Sequence, residues 1–360
     1  MGITKQKGQR ERRIKRIVDV LLAVLLAVAV ILAINTVKKD FNDITQEKVS
    51  EDTVISSGTD EIVSDDHALY VSELFDNEVI NQGSLILVNK DNKYGWYEED
   101  LVSVLEYKNN DGTEAYHVID GDVKVRNEAA EPLNQMLKDF SEATGKTDIR
   151  VDGGYRSVKQ QEQIYASNSN ASEPGTSDYH TGYSVDLNVV TDDGTSKGFD
   201  GSGDYEWLTT NCYKYGFIIR CPEGKSELTG QDYRPFQFRY VGKVHAAYMA
   251  QNGLCLEEYV DKLKSYPYDG SGQRGSHLET IDADGNDYEI YYVAADTENE
   301  SGFTSAAVPS TAAYSISGNN SDGFIVTISL GTAPSSENDD SQESTQEAQP
   351  EEDSEAEPEE

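Results

Sequence analysis

Basic residues are scarce in this chain. Across 360 residues, 30 Lys and Arg stand against 66 Asp and Glu, a net charge of −36. Gripping a phosphate backbone needs a basic face, so no nucleic-acid partner is expected. Cysteine is scarcer still: Cys212, Cys221 and Cys255 make an odd count with no Cys-x-x-Cys pair. That excludes a structural zinc knuckle and a thioredoxin-like motif. Cys212 and Cys221 flank one strand-like segment and suit a disulfide; the alternative is three buried thiols used as small apolar residues. There are only five histidines. His245 falls in an Ala/Met helix and reads as structural, while His67, His117 and His277 lie in unrelated segments.

Ile17 to Ile34 is almost unbroken Val, Leu, Ala and Ile, interrupted by Asp19. About 18 to 20 such residues span a hydrocarbon core of ~30 Å. Lys5, Lys7, Arg10, Arg12, Arg13, Lys15 and Arg16 precede the run. The positive-inside rule then places segment 1–16 in the cytoplasm and the chain beyond a transmembrane helix at 17–35 outside the cell. A cleaved signal peptide is the rival. The run is longer than a usual apolar h-region, and Asn35-Thr36-Val37-Lys38-Lys39 offers no small-x-small cleavage site, so the anchor is the expectation.

Residues 36–66 are polar and acidic without periodicity and read as a stalk. From Glu337 to Glu360 there are twelve acidic residues and no basic ones, so 333–360 reads as a disordered acidic tail, a solvated spacer in a Gram-positive-type wall. Segment 67–126 carries short β-like runs, Ser84 to Val88 and Val102 to Tyr107, and is expected to lead into and pack on the core. Asn127 reads as the N-cap of a helix on which Leu133, Met136, Leu137 and Phe140 recur until Gly145. Ser157 with Gln160 forms a capping-box pattern opening a second helix through Ala166.

Strands are expected at Ile149 to Val151, Val185 to Val189, Tyr215 to Arg220 and Phe236 to Val241. Helices are expected at Lys243 to Gln251 and Leu256 to Leu263. The interspersed order argues an α+β domain over 127–266. A small β module follows at 277–332, with runs at Tyr288 to Val293 and Phe324 to Ile328. Asp282-Ala283-Asp284-Gly285-Asn286 lacks the spacing of a calcium loop and reads as a hairpin turn.

One stretch carries chemistry: Ser177-Asp178-Tyr179-His180-Thr181-Gly182-Tyr183-Ser184-Val185-Asp186. With Gly154-Tyr155-Arg156-Ser157 before it and Arg234-Pro235-Phe236-Gln237-Phe238-Arg239-Tyr240-Val241-Gly242 after it, it resembles the VanY-type D-alanyl-D-alanine carboxypeptidases, which are zinc peptidases. The resemblance covers Glu128 to about Leu263. It implies a small antiparallel sheet with flanking helices, the Hedgehog/DD-peptidase-like core, and a peptidoglycan stem peptide as partner. The family's middle motif is Ser-x-His-x-x-Gly-x-x-x-Asp and its last is Glu-x-Trp-His ahead of Tyr/Phe-Arg-Tyr-Val-Gly. Anchored on Ser177, Gly182 and Asp186, the first zinc-binding His falls on Tyr179. The Glu that works on the zinc-bound water falls on Arg234, and the second zinc-binding His on Gln237.

A catalytic zinc needs three protein ligands and an open position for water. Asp186 keeps its place. Tyr179 ligates only as phenolate, Gln237 offers a neutral amide, and Arg234 cannot serve as a base. The expectation is therefore a carboxypeptidase fold without intact catalytic residues and without a cofactor. The alternative is an active D,D- or L,D-carboxypeptidase with zinc rebuilt on His180 and Asp186. A third reading is a surface scaffold. On the substrate side, the family's peptide-receiving positions fall on Arg156, Gln161 and Ser177, expected to converge on one cleft with Arg156 gripping a terminal carboxylate. Arg234 is expected to pair with Asp186 in place of the metal.

Overall fold

The computed structural model describes residues 70–95, 100–168, 171–191, 193–268 and 277–332. The expected membrane span, stalk and acidic tail lie outside these residues; among those described, no helix is long and apolar enough to cross a membrane. In chain order come β1 (Tyr70–Asp76), β2 (Leu101–Ser103), α1 (Val104–Asp111), β3 (His117–Val118) and β4 (Lys124–Arg126). Next are α2 (Asn127–Thr144), β5 (Ile149–Gly153), α3 (Val158–Ser167), β6 (Ser184–Val190), β7 (Ser196–Gly198) and α4 (Glu206–Asn211). Then follow β8 (Phe217–Cys221), α5 (Ser226–Thr229), β9 (Arg234–Tyr240), α6 (Lys243–Asn252) and α7 (Leu256–Leu263). The last strands are β10 (Leu278–Ile281), β11 (Asn286–Ala294), β12 (Phe303–Pro309), β13 (Ala313–Gly318) and β14 (Gly323–Thr332).

Alternation along β6 sets the two faces of the central sheet, because successive side chains in a strand point to opposite sides. Val185, Leu187 and Val189 join Phe217 of β8 and Phe238 of β9 in the main core. That core is closed by Leu133, Met136, Leu137 and Phe140 of α2. The opposite face carries Asp186, Gln237 and Arg239. The six-stranded sheet runs β3-β5-β6-β9-β8, with β7 also on β6. β3 joins β5 in parallel, while the other pairings are antiparallel. Register places Asp186 opposite Gln237 on β9 and Gly153 on β5. Gly153 is required there: a Cβ would stand 2.8 Å from Asp186 Oδ2.

A second core joins the sheet to the β module, with Ile218, Val244, Leu256, Tyr259 and Leu263 packed on Leu278, Ile290 and Ile325. The module is a four-stranded antiparallel sheet of order β10-β11-β14-β13. The Asp282 turn is the expected hairpin, closed by Gly285 at φ +82°. His245 lies between α6, α7 and β14, its Nδ1 2.7 Å from Tyr259 Oη and its Nε2 3.2 Å from Thr327 Oγ1. Burial lowers its pKa to about 3. The unfolded ring titrates near about 6.5. Its contribution to stability is therefore complete above that pH and is lost as pH falls toward the folded value. Between pH 7 and pH 4, urea-unfolding free energy should drop by about 3 kcal/mol more in the wild type than in His245→Gln. Equal drops in the two proteins would refute the assignment.

Four local expectations change. Ser84 to Val88 is not a strand, although Leu85, Ile86 and Val88 are buried. Its carbonyls at Ser84 and Ile86 accept from the Arg239 guanidinium at 2.9 and 3.0 Å instead of from a neighbouring strand. Val102 to Tyr107 is split, since Ser103 Oγ accepts from Glu106 N and caps α1. Asn127 is the first helical residue and Arg126 precedes it as the cap position. β1 pairs with β12 of the module, so the lead-in is shared between the core and the module. Ser157 and Gln160 do form the capping box. Cys212, Cys221 and Cys255 are free and buried, as the buried-thiol reading had it.

Candidate active site

The site motif leaves α3 and the following loop as a single 3-10 turn, Asp178–Thr181, stopped by Gly182 at φ +74°. Its first residue is pinned from the sheet. Asp178 Oδ1 accepts from Arg239 Nη1 at 2.6 Å and from Arg220 Nε at 3.1 Å, and Ser184 Oγ donates to Oδ2. Arg220 also pairs with Glu257 of α7 through both terminal nitrogens, at 2.7 and 3.0 Å. Burial opposes a charged Asp178, but Arg239 and Arg220 outweigh it and hold the carboxyl below its ordinary range. Sequence reasoning missed this network. Its signals were Asp178 inside the motif, Arg220 at the end of an apolar strand and Arg239 two residues after Gln237.

With the turn fixed, Tyr179 points at β6. Its Oη donates to Asp186 Oδ1 at 2.5 Å. Arg156 Nη2 donates to Asp186 Oδ2 at 3.2 Å, and the same guanidinium lies 3.6 Å from the centre of the Tyr179 ring. Both oxygens of Asp186 are thus engaged. Burial, and secondarily the Asp186 charge, raises the Tyr179 phenol well above its ordinary value, so it stays protonated. Burial likewise raises Asp186, against the opposing pull of Tyr179, Arg156 and Arg234.

His180 is turned away from this cluster and is almost fully buried. Gly175 N–H donates to its Nε2 at 3.0 Å, so Nδ1 carries the proton and donates to the Arg156 carbonyl at 2.6 Å. The ring stacks on Tyr94 at 5.9 Å. Both ring nitrogens are used by backbone, and His180 fastens the loop at Gly175 to the strand exit at Arg156. A zinc site rebuilt on His180 does not fit this arrangement.

Arg156, Gln161 and Ser177 do not line one cleft. Ser177, Tyr179, Arg234 and Gln237 line a cavity of about 250 Å³. Arg156 lines a second cleft of about 490 Å³ with Asp122, Asp152 and Gln163. Gln161 is buried and lines neither; its Nε2 donates to Ser172 O at 2.7 Å and props the rim of the first cavity. The cation paired with Asp186 is Arg156, not Arg234 as the sequence suggested. Arg234 donates instead to Gln231 Oε1 at 2.5 Å and Gln237 Oε1 at 3.4 Å, acting on Asp186 only through space. Arg156 leaves the loop after β5 and Arg234 opens β9, so two identical side chains start from different places and reach different partners, which a linear motif cannot show.

The residues present do not fit the zinc that the resemblance implies. A zinc ligand set needs deprotonated or neutral nitrogen, sulfur or carboxylate donors free to bind. Here one carboxylate is capped by a protonated phenol and an arginine, and the cross-strand partner is an amide already accepting from Arg234. Among the described residues, no three His, Cys, Asp or Glu side chains cluster as a metal set.

The family profile described as VanY, D-alanyl-D-alanine carboxypeptidase, matches residues 122–243. A D-alanyl-D-alanine carboxypeptidase of Enterococcus faecium is 33% identical over 260 residues, 71% of this chain and 78% of that protein. The bifunctional D-Ala-D-Ala dipeptidase and carboxypeptidase VanXYC of Enterococcus gallinarum is 33% identical over 158 residues, 40% of this chain and 81% of that one. The vancomycin-resistance D,D-dipeptidase VanXYg, crystallised with a D-Ala-D-Ala phosphinate analogue, superposes with a TM-score of 0.61 at 28% identity. That match covers 72% of this chain and 99% of the dipeptidase, and so spans more than the motif-bearing core. At 33% identity over 78% of the E. faecium carboxypeptidase, with the family profile lying across the site, the chain belongs to the VanY-type D-alanyl-D-alanine carboxypeptidases.

Proposed function

We propose that this protein is a membrane-anchored, extracellular member of the family that binds peptidoglycan stem peptides without cleaving them. The observation that carries the reading is the closure of Asp186, one oxygen on the Tyr179 hydroxyl and the other on the Arg156 guanidinium. Each oxygen held this way already accepts from a neighbour, the fixed Arg156 charge beside the carboxylate opposes an incoming dication, and the position where the family carries its proton-accepting Glu holds Arg234. The stem-peptide ligand is brought from the relatives, whose names carry D-Ala-D-Ala as substrate. The cavity beside Tyr179 is what remains to receive it. The anchor rests on the basic segment and the apolar run of the sequence.

Full-length protein purified in mild detergent should carry well under one zinc per chain by elemental analysis. It should release no D-Ala from a stem pentapeptide, yet bind that peptide weakly and saturably in calorimetry. Stoichiometric zinc accompanied by D-Ala release would overturn the inactive reading. Failure of every stem peptide to bind would remove the ligand and leave the surface scaffold.

A further inference from the structure

We infer that Arg234 is the receptor for a ligand carboxylate, so that the peptide's C-terminus docks in the cavity beside Tyr179 and not on Arg156. The inference rests on the stem-peptide reading above and names which charge reads the ligand. Arg156 is already committed: its guanidinium pairs with Asp186 and covers the Tyr179 ring, and it lines the other cleft. Freeing it would leave the largely buried Asp186 carboxylate without its counter-ion, a cost that a weak ligand cannot offset.

Arg234 is the contrasting case. It opens β9 and lines the 250 Å³ cavity with Ser177, Thr176, Tyr179 and Gln237. Its guanidinium hydrogen bonds go to two neutral amide oxygens, Gln231 Oε1 and Gln237 Oε1. No ion pair among the described residues includes it. A guanidinium has five N–H donors in a fixed fork, so donors remain for a bidentate carboxylate. Asp178 and Arg220 on the wall are spent on each other and their partners, and Lys90, beside Asp91, is exposed to solvent at the rim. Glu173 sits exposed at the rim. The two glutamines orient the fork without neutralising it, which is what an anion receptor needs. In a chain of net charge −36, a local fixed cation is the condition for any anion to bind.

The test is calorimetry on full-length protein with three probes: a stem pentapeptide ending in a free carboxylate, the same peptide amidated, and inorganic phosphate. Wild type should prefer the free acid over the amide by about ten-fold or more, the scale of a charge-assisted hydrogen bond. In Arg234→Gln that preference should vanish, the acid falling to the affinity of the amide, while Arg234→Lys should retain part of it. An unchanged melting temperature of Arg234→Gln would show that the loss is not unfolding. If the acid-over-amide preference survives in Arg234→Gln, another cation reads the carboxylate and the inference falls while peptide binding stands. If phosphate binds in an Arg234-dependent way and neither peptide does, the site serves a free oxyanion and the carboxylate assignment falls. If none of the probes binds, both this inference and the stem-peptide reading fall.

Discussion

Asp178→Ala should lower the melting temperature by about 10 °C or prevent accumulation of folded protein. Removing one partner of a buried ion pair costs roughly 3–5 kcal/mol, because the remaining charge stays in a low-dielectric site. Here two buried guanidinium groups would lose a partner. Arg239 is fully buried, and Arg220 is nearly so. Arg220 keeps Glu257 as a counter-ion, whereas Arg239 is left with neutral partners, the carbonyls of Ser84, Ile86 and Tyr240 and the Tyr183 ring. A native stability of about 5–15 kcal/mol leaves little reserve for such a loss. Asp178→Asn keeps an acceptor for Arg239 and should fall between wild type and alanine. The measurement is thermal denaturation followed by circular dichroism. A melting temperature for Asp178→Ala within 2 °C of wild type, on the scale of about 2–4 °C per kcal/mol for a domain of this size, would refute the argument.

That network also marks where the sequence stopped being readable. Leu133, Met136, Leu137 and Phe140 at helical spacing, and the alternation of Val185, Leu187 and Val189, follow from local periodicity, and both fell where expected. Ser84 to Val88 is as apolar as any strand, but its backbone partners include the side chains of Arg239, 155 residues away from Ser84, Ser317 and Asn320, and the carbonyl of Asn319. No local pattern encodes a ladder replaced by a guanidinium. Near Val104 the same apolar letters suit either a strand or a helix, and the cap at Ser103 decided for the helix. In the site, the motif placed Tyr179, Asp186, Arg234 and Gln237 close to the positions that matter, because spacing along strands fixes register. Which of two arginines reaches Asp186 is decided by side-chain direction across three segments. His180 was legible only as a candidate, since its role depends on the backbone of Gly175 and Arg156.

Zinc binding should return only when Tyr179 is replaced together with the two β9 positions. The triple variant Tyr179→His, Arg234→Glu, Gln237→His should take up close to one zinc per chain. The double variant that retains Tyr179 should remain well under one. Position 237 is directly across from Asp186, and the side chain at position 179 already reaches Asp186 Oδ1. Imidazoles at both positions would therefore face the carboxylate and complete three protein ligands, the number a zinc site with an open position requires. Replacing Arg234 by Glu removes a fixed positive charge that now acts on Asp186 and supplies a carboxylate beside the site. Replacing Tyr179 also takes away the ring on which Arg156 lies, freeing that guanidinium to swing off Asp186. In the double variant, the phenol still caps one carboxylate oxygen and Arg156 still holds the other, so two ligands at most are available. Elemental analysis of the two variants, with melting curves as a control for folding, gives the answer. A folded double variant carrying one zinc per chain would mean that Tyr179 is no barrier to metal, and a folded triple variant carrying none would mean that the scaffold itself has moved away from zinc geometry.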